Sequence, residues 1–336
     1  MAHMGVLLGI LLIFLILELA FEWRGHVRGY DTLFLGRAST ADTTHSDYPF
    51  RSKPVSMDKP AGATRLWIAG ASQAKDNYQP LDQIFPSLVL AKLNAQGIAC
   101  DLINGSEDGT GIEGNLAMLE KYAPQYHPDW VVLYQGSFEI QNLSKLSFLP
   151  SGHASGKAPG SWHGTLLNGV RAKLEATSLF AYLQQDLRTR LMAAKPLHDK
   201  LPDSAANLYR ELVINFITRC RALGAQPVLT TFSSRYGSAN LSEFDEDLFL
   251  GQLRYNPFLS RAGWLSSIEM INSINRDVAI SQKVPIIDVA SSMTGRADSF
   301  RDFSHFTKNG HARAAEAFVM GLRPLLQQQS EVSKAP

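Results

Sequence analysis

The sequence has little cysteine and no concentration of charge, and each absence removes a class of function. Its 336 residues include two cysteines, Cys100 and Cys220, which form neither a CxxC motif nor a cluster. A thiolate metal site is therefore not expected, and two buried free thiols are favoured over a disulfide. The formal net charge is +1 and no long basic run occurs, so no nucleic-acid-binding surface is predicted.

The chain also lacks the motifs that hold cofactors. It contains no glycine-rich phosphate loop of the P-loop type, no acidic cation-binding loop and no internal repeat. The histidines of the loops and inserts have no metal-ligand spacing, and His311, at the start of the last predicted helix, is expected at the surface. The sequence therefore predicts neither a metal nor a cofactor.

One long apolar run is present at the amino end. Residues 4–21 read MGVLLGILLIFLILELAF, and at about 1.5 Å of rise per residue such a helix spans about 27 Å, near the hydrocarbon thickness of a bilayer. A cleaved signal peptide is the alternative, but no Lys or Arg precedes the run and no small residue stands at the −3 position. Residues 1–28 are therefore predicted to form an uncleaved single-pass membrane anchor. Glu18 either reaches the interface or contacts a partner helix.

Residues 29–63 are predicted to form a polar surface tether between this anchor and one large domain, residues 64–328, with a short tail at 329–336. Within the domain, short apolar runs alternate with segments of helical periodicity. The predicted strands are Arg65–Ala69, Ile98–Ile103, Trp130–Tyr134, Pro227–Phe232 and Val284–Val289. The predicted helices are Leu81–Gln96, Ile112–Tyr122, Ala205–Leu223, Ile268–Ser281 and Asn309–Leu322.

This order predicts an α/β three-layer sandwich whose mostly parallel, flavodoxin-like sheet has five strands between two helical layers. Two inserts interrupt the alternation. Residues 142–202 begin as a loop and continue into a helical stretch near 166–192, and residues 233–264 are rich in aromatics. Connections of this length are usually functional or form a cap, although simple packing of an insert on itself is equally compatible with the pattern.

Residues able to perform acyl transfer follow the predicted strands. Ser72 ends a tight Gly70-Ala71-Ser72 turn after the first strand, and Asp302-Phe303-Ser304-His305 precedes the last helix. A serine hydroxyl needs a base to take its proton, and the base needs a third group to hold its tautomer. An Asp three residues before a His can supply that third group. Because active groups collect at the carboxyl ends of parallel strands, one crevice is expected to hold all three.

The blocks resemble those of the SGNH (GDSL-like) hydrolase superfamily over residues 65–326. The turn ending in Ser72, the Asn-Gly run from Asn104 to Gly109, and the Asp-x-x-His motif followed by Thr307 and Gly310 are each similar to a family block. The resemblance implies a nucleophile at Ser72, a base at His305 and an orienting carboxylate at Asp302. It also implies an oxyanion hole formed by the backbone N–H groups of Ser72 and Gly109.

The third block departs from the family pattern. The family has Gly-x-Asn followed by an acidic residue, whereas this chain has Gly136-Ser137-Phe138-Glu139. Phe138 thus replaces the asparagine whose amide donates to the oxyanion, and losing one such donor typically costs about 10²–10³ in turnover. Gln135 and Ser137 are the candidate substitutes. The alternative is that the fold persists while the activity is weak or absent.

Three functions follow as expectations. The first is a serine esterase or O-acyl (acetyl) transferase acting on esters of cell-envelope glycans, since the resemblance implies small acyl esters and the predicted anchor favours envelope substrates. The second is an inactive scaffold subunit that binds a membrane protein partner or a glycan. The third is a lipid esterase. Arg24 and Arg28 after the apolar run argue for a cytoplasmic domain, whereas the resemblance favours an extracytoplasmic, periplasmic one, which is the location predicted.

Overall fold

The computed structural model describes residues 2–27, 48–60, 62–149, 196–243 and 246–332. The helical stretch predicted near 166–192, most of the predicted tether and the end of the tail lie outside the described residues.

Within these ranges, five parallel strands form one sheet. The strands are β1 Thr64–Gly70, β2 Cys100–Asn104, β3 Trp130–Tyr134, β4 Gln226–Thr230 and β5 Ile286–Ile287. Their order across the sheet is β2-β1-β3-β4-β5, and every pair is parallel. This is the flavodoxin-like order that the alternation of strands and helices predicted.

Helices cover both faces of the sheet. In chain order they are α1 Ala2–Val27, α2 Ser72–Lys75, α3 Phe85–Ala95, α4 Ile112–Tyr126, α5 Ser137–Phe148, α6 Asp203–Ala222, α7 Glu246–Tyr255, α8 Arg261–Gln282, α9 Val289–Met293 and α10 Lys308–Val332. Helices α3 and α10 pack together on one face, while α6 packs against α4 and α8 on the other. Parallel strands are joined by crossover connections, and the helices in these connections cover the faces of the sheet.

The centre of the sheet is packed tightly enough to require glycine at one position. Trp67 of β1 is fully buried, and its indole fills the space beside Gly105, directly after β2. A Cβ at Gly105 would lie 2.3 Å from that ring, far inside van der Waals contact. The buried indole of Trp67 therefore requires a residue without a side chain at position 105.

Two predicted elements differ from the observed ones for local reasons. Strand β5 contains two residues instead of the predicted Val284–Val289, because Asp288 caps helix α9 by accepting the N–H of Ser291 and so turns the chain away from the sheet. The predicted helix from Leu81 begins as a separate 3-10 turn, and α3 starts only at Phe85. Both cysteines are free thiols, as expected, but only Cys220 is buried, since Cys100 is partly exposed.

The segment before β1 differs from the predicted polar tether. Tyr48 and Phe50 are buried, and Phe50 makes edge contacts with the rings of Trp67 and Tyr122 at centroid distances of 5.0 and 4.9 Å. Residues 48–52 are thus part of the domain core. The sequence does not reveal this because the two aromatic side chains stand in a polar context without strand or helix periodicity.

Helix α1 coincides with the predicted membrane anchor. Large apolar side chains between Val6 and Leu19 are exposed along it. In the described part of the chain, no helix combines the length and the hydropathy needed to cross a bilayer. The transmembrane helix predicted over residues 4–21 is not confirmed by that finding.

Candidate active site

The loop after β1 holds Ser72 in a constrained position. Ser72 is the first residue of α2, a single helical turn, and the N–H of Asp76 closes the turn on the Ser72 carbonyl at 2.9 Å. Asn104 donates from Nδ2 to the carbonyl of Ala74 at 2.9 Å. Gly70 permits the sharp exit from the strand, since a Cβ there would lie 2.9 Å from the carbonyl oxygen of Tyr134.

The structure brings the three predicted catalytic side chains together. His305 Nε2 lies 2.9 Å from Ser72 Oγ, and His305 Nδ1 lies 2.7 Å from Asp302 Oδ2. The other carboxylate oxygen of Asp302 accepts the backbone N–H groups of Ser304 and His305 at 2.7 and 2.6 Å. An ionised Asp302 only accepts hydrogen bonds, so His305 carries its proton on Nδ1 and leaves Nε2 free to accept the serine proton.

The charges of this pair support that assignment. Burial opposes the ionisation of Asp302, but the His305 imidazole and the hydrogen bonds donated to the carboxylate outweigh burial and hold the pKa of Asp302 at about 2. Burial likewise lowers the pKa of His305, but the Asp302 carboxylate raises it more, and the net result is a raised pKa. The site therefore contains a carboxylate that stays ionised and an imidazole whose basicity is increased.

The position of Phe138 agrees with the departure seen in the third block. Its ring edge lies 3.6 Å from where a Cβ on Gly109 would stand, and Gly109 has a left-handed φ of +65°. Ser72, Gly109 and Phe138 line the same cleft. An apolar ring without a hydrogen-bond donor thus lies beside Gly109 in the cleft that contains Ser72.

Gln135 does not substitute for the missing asparagine, because its amide is engaged elsewhere. Its Nε2 donates to the carbonyl of Thr110 at 2.6 Å. Nearby, Glu139 is buried and accepts the N–H of Ile112, the first residue of α4, at 2.8 Å. Burial raises the pKa of Glu139. These contacts connect the third block to the loop carrying Gly109, so the block has a structural role here.

The cleft beside the triad has a volume of about 430 Å³. Its lining is Ser72, Asn77, Tyr78, Asp108, Gly109, Ser137, Phe138, Gln141, Tyr255, Asn256, Trp264, Phe303, Ser304 and His305. Tyr255 and Trp264 come from the aromatic insert 233–264, for which a functional role and simple self-packing were both open. The insert therefore forms part of the cleft wall, and Trp264 additionally packs edge-on against Phe303 at 5.3 Å.

Three polar residues behind the triad were not identified as site residues from the sequence. Asp76, at the end of α2, binds both Arg301 and His311. His311 is fully buried, so the expectation that it lies at the surface is wrong. In the sequence, His311 lies one turn inside an amphipathic helix. That position alone does not distinguish a solvent-facing histidine from one paired with a distant buried carboxylate.

The strand order, the turn carrying Ser72 after the first strand and the Asp302–His305 segment before the last helix together give the chain an SGNH-like α/β fold. No protein-family model matches the chain, and no curated protein matches it significantly.

Several solved structures are similar to the chain. A lipase/acylhydrolase from Enterococcus faecalis is 14% identical at a TM-score of 0.46, and the match covers 79% of this chain and 96% of that chain. A catalytic mutant of an acetylxylan esterase from Geobacillus stearothermophilus is 12% identical at a TM-score of 0.46, covering 77% and 94%. A member of the lipolytic G-D-S-L family from Veillonella parvula is 10% identical at 0.46, covering 77% and 97%. Because these identities and TM-scores are low, we infer the chemistry from the side chains of the site itself.

Proposed function

We propose that the protein is a serine esterase that removes or transfers small O-acyl groups, of which acetyl is the simplest. The observation that carries this proposal is the continuous hydrogen-bonded chain from Ser72 Oγ through His305 to Asp302, at 2.9 and 2.7 Å. It is supported by the buried, ionised carboxylate behind the imidazole. A hydroxyl, a base and an orienting anion in this order perform acyl transfer in unrelated folds.

Acylation begins with the attack of Ser72 Oγ on the ester carbonyl carbon. As the new C–O bond forms, the hydroxyl proton passes to His305 Nε2, and the imidazolium is stabilised by Asp302. The carbonyl oxygen becomes an oxyanion, for which the backbone N–H groups of Ser72 and Gly109 are the proposed donors. His305 then gives its proton to the leaving alkoxide, the ester C–O bond breaks, and the acyl group remains on Ser72.

Deacylation repeats these steps with a second nucleophile. When water attacks the acyl-serine, His305 takes its proton and then gives it to Ser72 Oγ as the bond between Oγ and the acyl carbon breaks, so a free carboxylic acid leaves and Ser72 is regenerated. When a hydroxyl of an acceptor attacks instead, the product is a new ester and the reaction is a transfer. The two outcomes share every protein residue named, and the acceptor that reaches the cleft decides between them.

The test is hydrolysis of p-nitrophenyl acetate by the full chain and by Ser72→Ala. We expect turnover to fall by about 10³-fold or more in Ser72→Ala, because the nucleophile is lost, and to be unchanged in Ser87→Ala, a control serine on helix α3. A fluorophosphonate should label the wild type and not Ser72→Ala. Equal activity in wild type and Ser72→Ala would remove Ser72 from the mechanism and refute the proposal.

Esters of cell-envelope glycans are the substrates proposed. The residues that line the cleft include the aromatic Tyr78, Tyr255 and Trp264 and the acidic Asp108. Aromatic faces stack on the C–H faces of sugar rings, while a carboxylate accepts hydrogen bonds from sugar hydroxyls and repels phosphate. Acetate release from neutral acetylated oligosaccharides should therefore exceed release of fatty acid from phospholipid vesicles, and the reverse ranking would favour the lipid esterase.

An inactive scaffold is the second candidate, and the observation that favours it is the ring of Phe138 at the oxyanion side of the cleft. In that case the cleft binds an acylated glycan or a partner protein without turning it over. Absence of fluorophosphonate labelling, together with retained binding of an acetylated oligosaccharide in calorimetry, would support the scaffold and exclude the esterase.

Attachment to a membrane through residues 4–21, with the domain on the extracytoplasmic side, is also proposed. The support is the set of large exposed apolar side chains along α1, since contiguous exposed apolar surface marks membrane or partner contacts. Fractionation of cells should place the full chain with membranes and a variant lacking residues 1–28 in the soluble fraction. Protease added outside the inner membrane should digest the domain, and protection from it would reverse the proposed side.

A further inference from the structure

One buried carboxylate connects the turn of the nucleophile to both flanks of the His305 segment. Asp76 directly follows α2 as its C-cap residue, it is 1% exposed, and its φ of +35° is left-handed. Its backbone N–H closes the turn on Ser72, as described above, and its Oδ1 accepts the N–H of Tyr78 at 2.9 Å. The backbone and the side chain of Asp76 thus both act within the loop that presents the nucleophile.

The partners of the Asp76 carboxylate come from either side of the segment that carries the base. Arg301, directly before Asp302, donates from Nη2 to both oxygens at 2.9 and 3.1 Å. His311, six residues after His305, bonds through Nε2 to Oδ2 at 2.8 Å. Arg301 also donates its backbone N–H to the His305 carbonyl at 3.0 Å.

The hydrogen bonds of His311 identify its tautomer. Its Nδ1 lies 3.1 Å from the backbone N of Phe85, the first residue of α3, and must accept that N–H. The proton is therefore on Nε2, where it is donated to Asp76. A second proton on Nδ1 would face the Phe85 N–H, and burial lowers the pKa of His311. The cluster thus holds a neutral imidazole, one carboxylate and one guanidinium, with its charges balanced.

We infer that Asp76, held by Arg301 and His311, is a positioning residue that sets the separation of Ser72 Oγ and His305 Nε2. This inference rests on the proposed esterase function. Two chain segments more than two hundred residues apart must meet within hydrogen-bond distance for the serine to lose its proton. The triad contact and a hydrogen bond from Gln73 Nε2 to the Ser304 carbonyl join them at the base, and the Asp76 cluster joins them at two more points, one on each side of the base.

The cluster also affects the charge of the base. The charged groups acting on His305 are Asp302, Arg301 and Asp76, and Asp108 lies across the cleft. The Asp76 carboxylate raises the pKa of His305, whereas the Arg301 guanidinium lowers it. Removing the Asp76 carboxylate should therefore lower the pKa of His305, and removing the Arg301 guanidinium should raise it.

The test compares Asp76→Asn and Arg301→Gln in the full chain. For Asp76→Asn we expect kcat for p-nitrophenyl acetate to fall by about 10–10²-fold, the cost of a misaligned near-attack geometry, with KM changed by less than about threefold. The acidic limb of kcat/KM should move to lower pH in Asp76→Asn and to higher pH in Arg301→Gln. Nitrogen chemical shifts of labelled histidine should show the same opposite movements for His305 without any substrate.

Paired substitutions at His311 separate positioning from simple packing. His311→Gln retains a donor for Asp76 and an acceptor for Phe85, and should recover most of kcat, whereas His311→Phe retains the ring and should lose as much as Asp76→Asn. The control is Asp298→Asn, which removes a solvent-exposed ion pair to Arg313, a residue of the helix that carries His311, and should leave both kcat and the pH profile unchanged.

The failures of the two proposals are distinguishable. Absence of Ser72-dependent turnover in the wild type would refute the esterase, while the histidine shifts would still test the cluster. If the wild type turns over but both charge variants keep the wild-type acidic limb and kcat, or lower only the Tm, the positioning role is overturned. Should Asp76→Asn fail to fold, the Arg301 and His311 variants decide by the same criteria.

Discussion

Phe138 stands where a hydrogen-bond donor to the oxyanion is expected, and Phe138→Asn tests whether that position still controls turnover. The ring edge lies 3.6 Å from the Cβ position of Gly109, in the cleft that contains Ser72. A carboxamide at this site would be close to an oxyanion held by the two backbone N–H groups. We therefore expect the substitution to raise kcat on p-nitrophenyl acetate.

The size of the effect follows from what such donors contribute. One oxyanion donor is worth about 10²–10³ in kcat, or about 2.7–4 kcal/mol of transition-state stabilisation. A grafted amide is not pre-oriented toward the oxyanion, so it should recover only part of this. A gain of about 10-fold or more in kcat is expected, with little change in KM, because the oxyanion exists only after attack.

Steady-state kinetics of Phe138→Asn and Phe138→Leu measure this directly. Phe138→Leu removes the ring without adding a donor, so it reports the effect of opening the cleft alone. A gain confined to Phe138→Asn identifies the amide as the cause. Equal gains in both variants would mean that the ring only blocks access, and no gain in either would refute the assignment of Phe138 to the oxyanion side.

Three further predictions follow from contacts described above. Activity should fall as the pH drops through the raised pKa of His305, because only the neutral imidazole accepts a proton; an acidic limb at or below the ordinary value of 6.5 would contradict the ion pair. Arg51→Ala should lower the free energy of unfolding by about 1–3 kcal/mol, since it removes charged hydrogen bonds to the backbone carbonyls of Lys75, Asp76 and Gln79; an unchanged denaturant midpoint would refute this. Gly105→Ala should destabilise the protein by about 1–3 kcal/mol, because its Cβ clashes with a buried indole. Gly251→Ala in α7 should stabilise it by about 0.5–1 kcal/mol, because no atom lies within 4 Å of the added Cβ; similar Tm shifts in the two variants would contradict the packing argument.

The accuracy of the sequence predictions followed the range of the interactions involved. The apolar run of Trp130–Tyr134 matches β3 residue for residue, because a strand covered on both faces is apolar throughout. The Asp302–His305 pair was visible because three residues of chain are enough to bring the carboxylate to the ring. The ends of helices and of β5 were less accurate, because capping contacts and prolines shift them by a few residues.

What the sequence determined by itself is the alternation of strands and helices, the turn that presents Ser72 and the local geometry of the base with its carboxylate. The tertiary structure alone decided that Tyr48 and Phe50 enter the core and that Trp264 reaches the cleft. It alone paired Asp76 with His311, 235 residues away. Local patterns reveal contacts within a few residues, whereas a buried polar pair joined across the whole chain leaves no periodic signal in either segment and becomes visible only once the strands bring the two ends together.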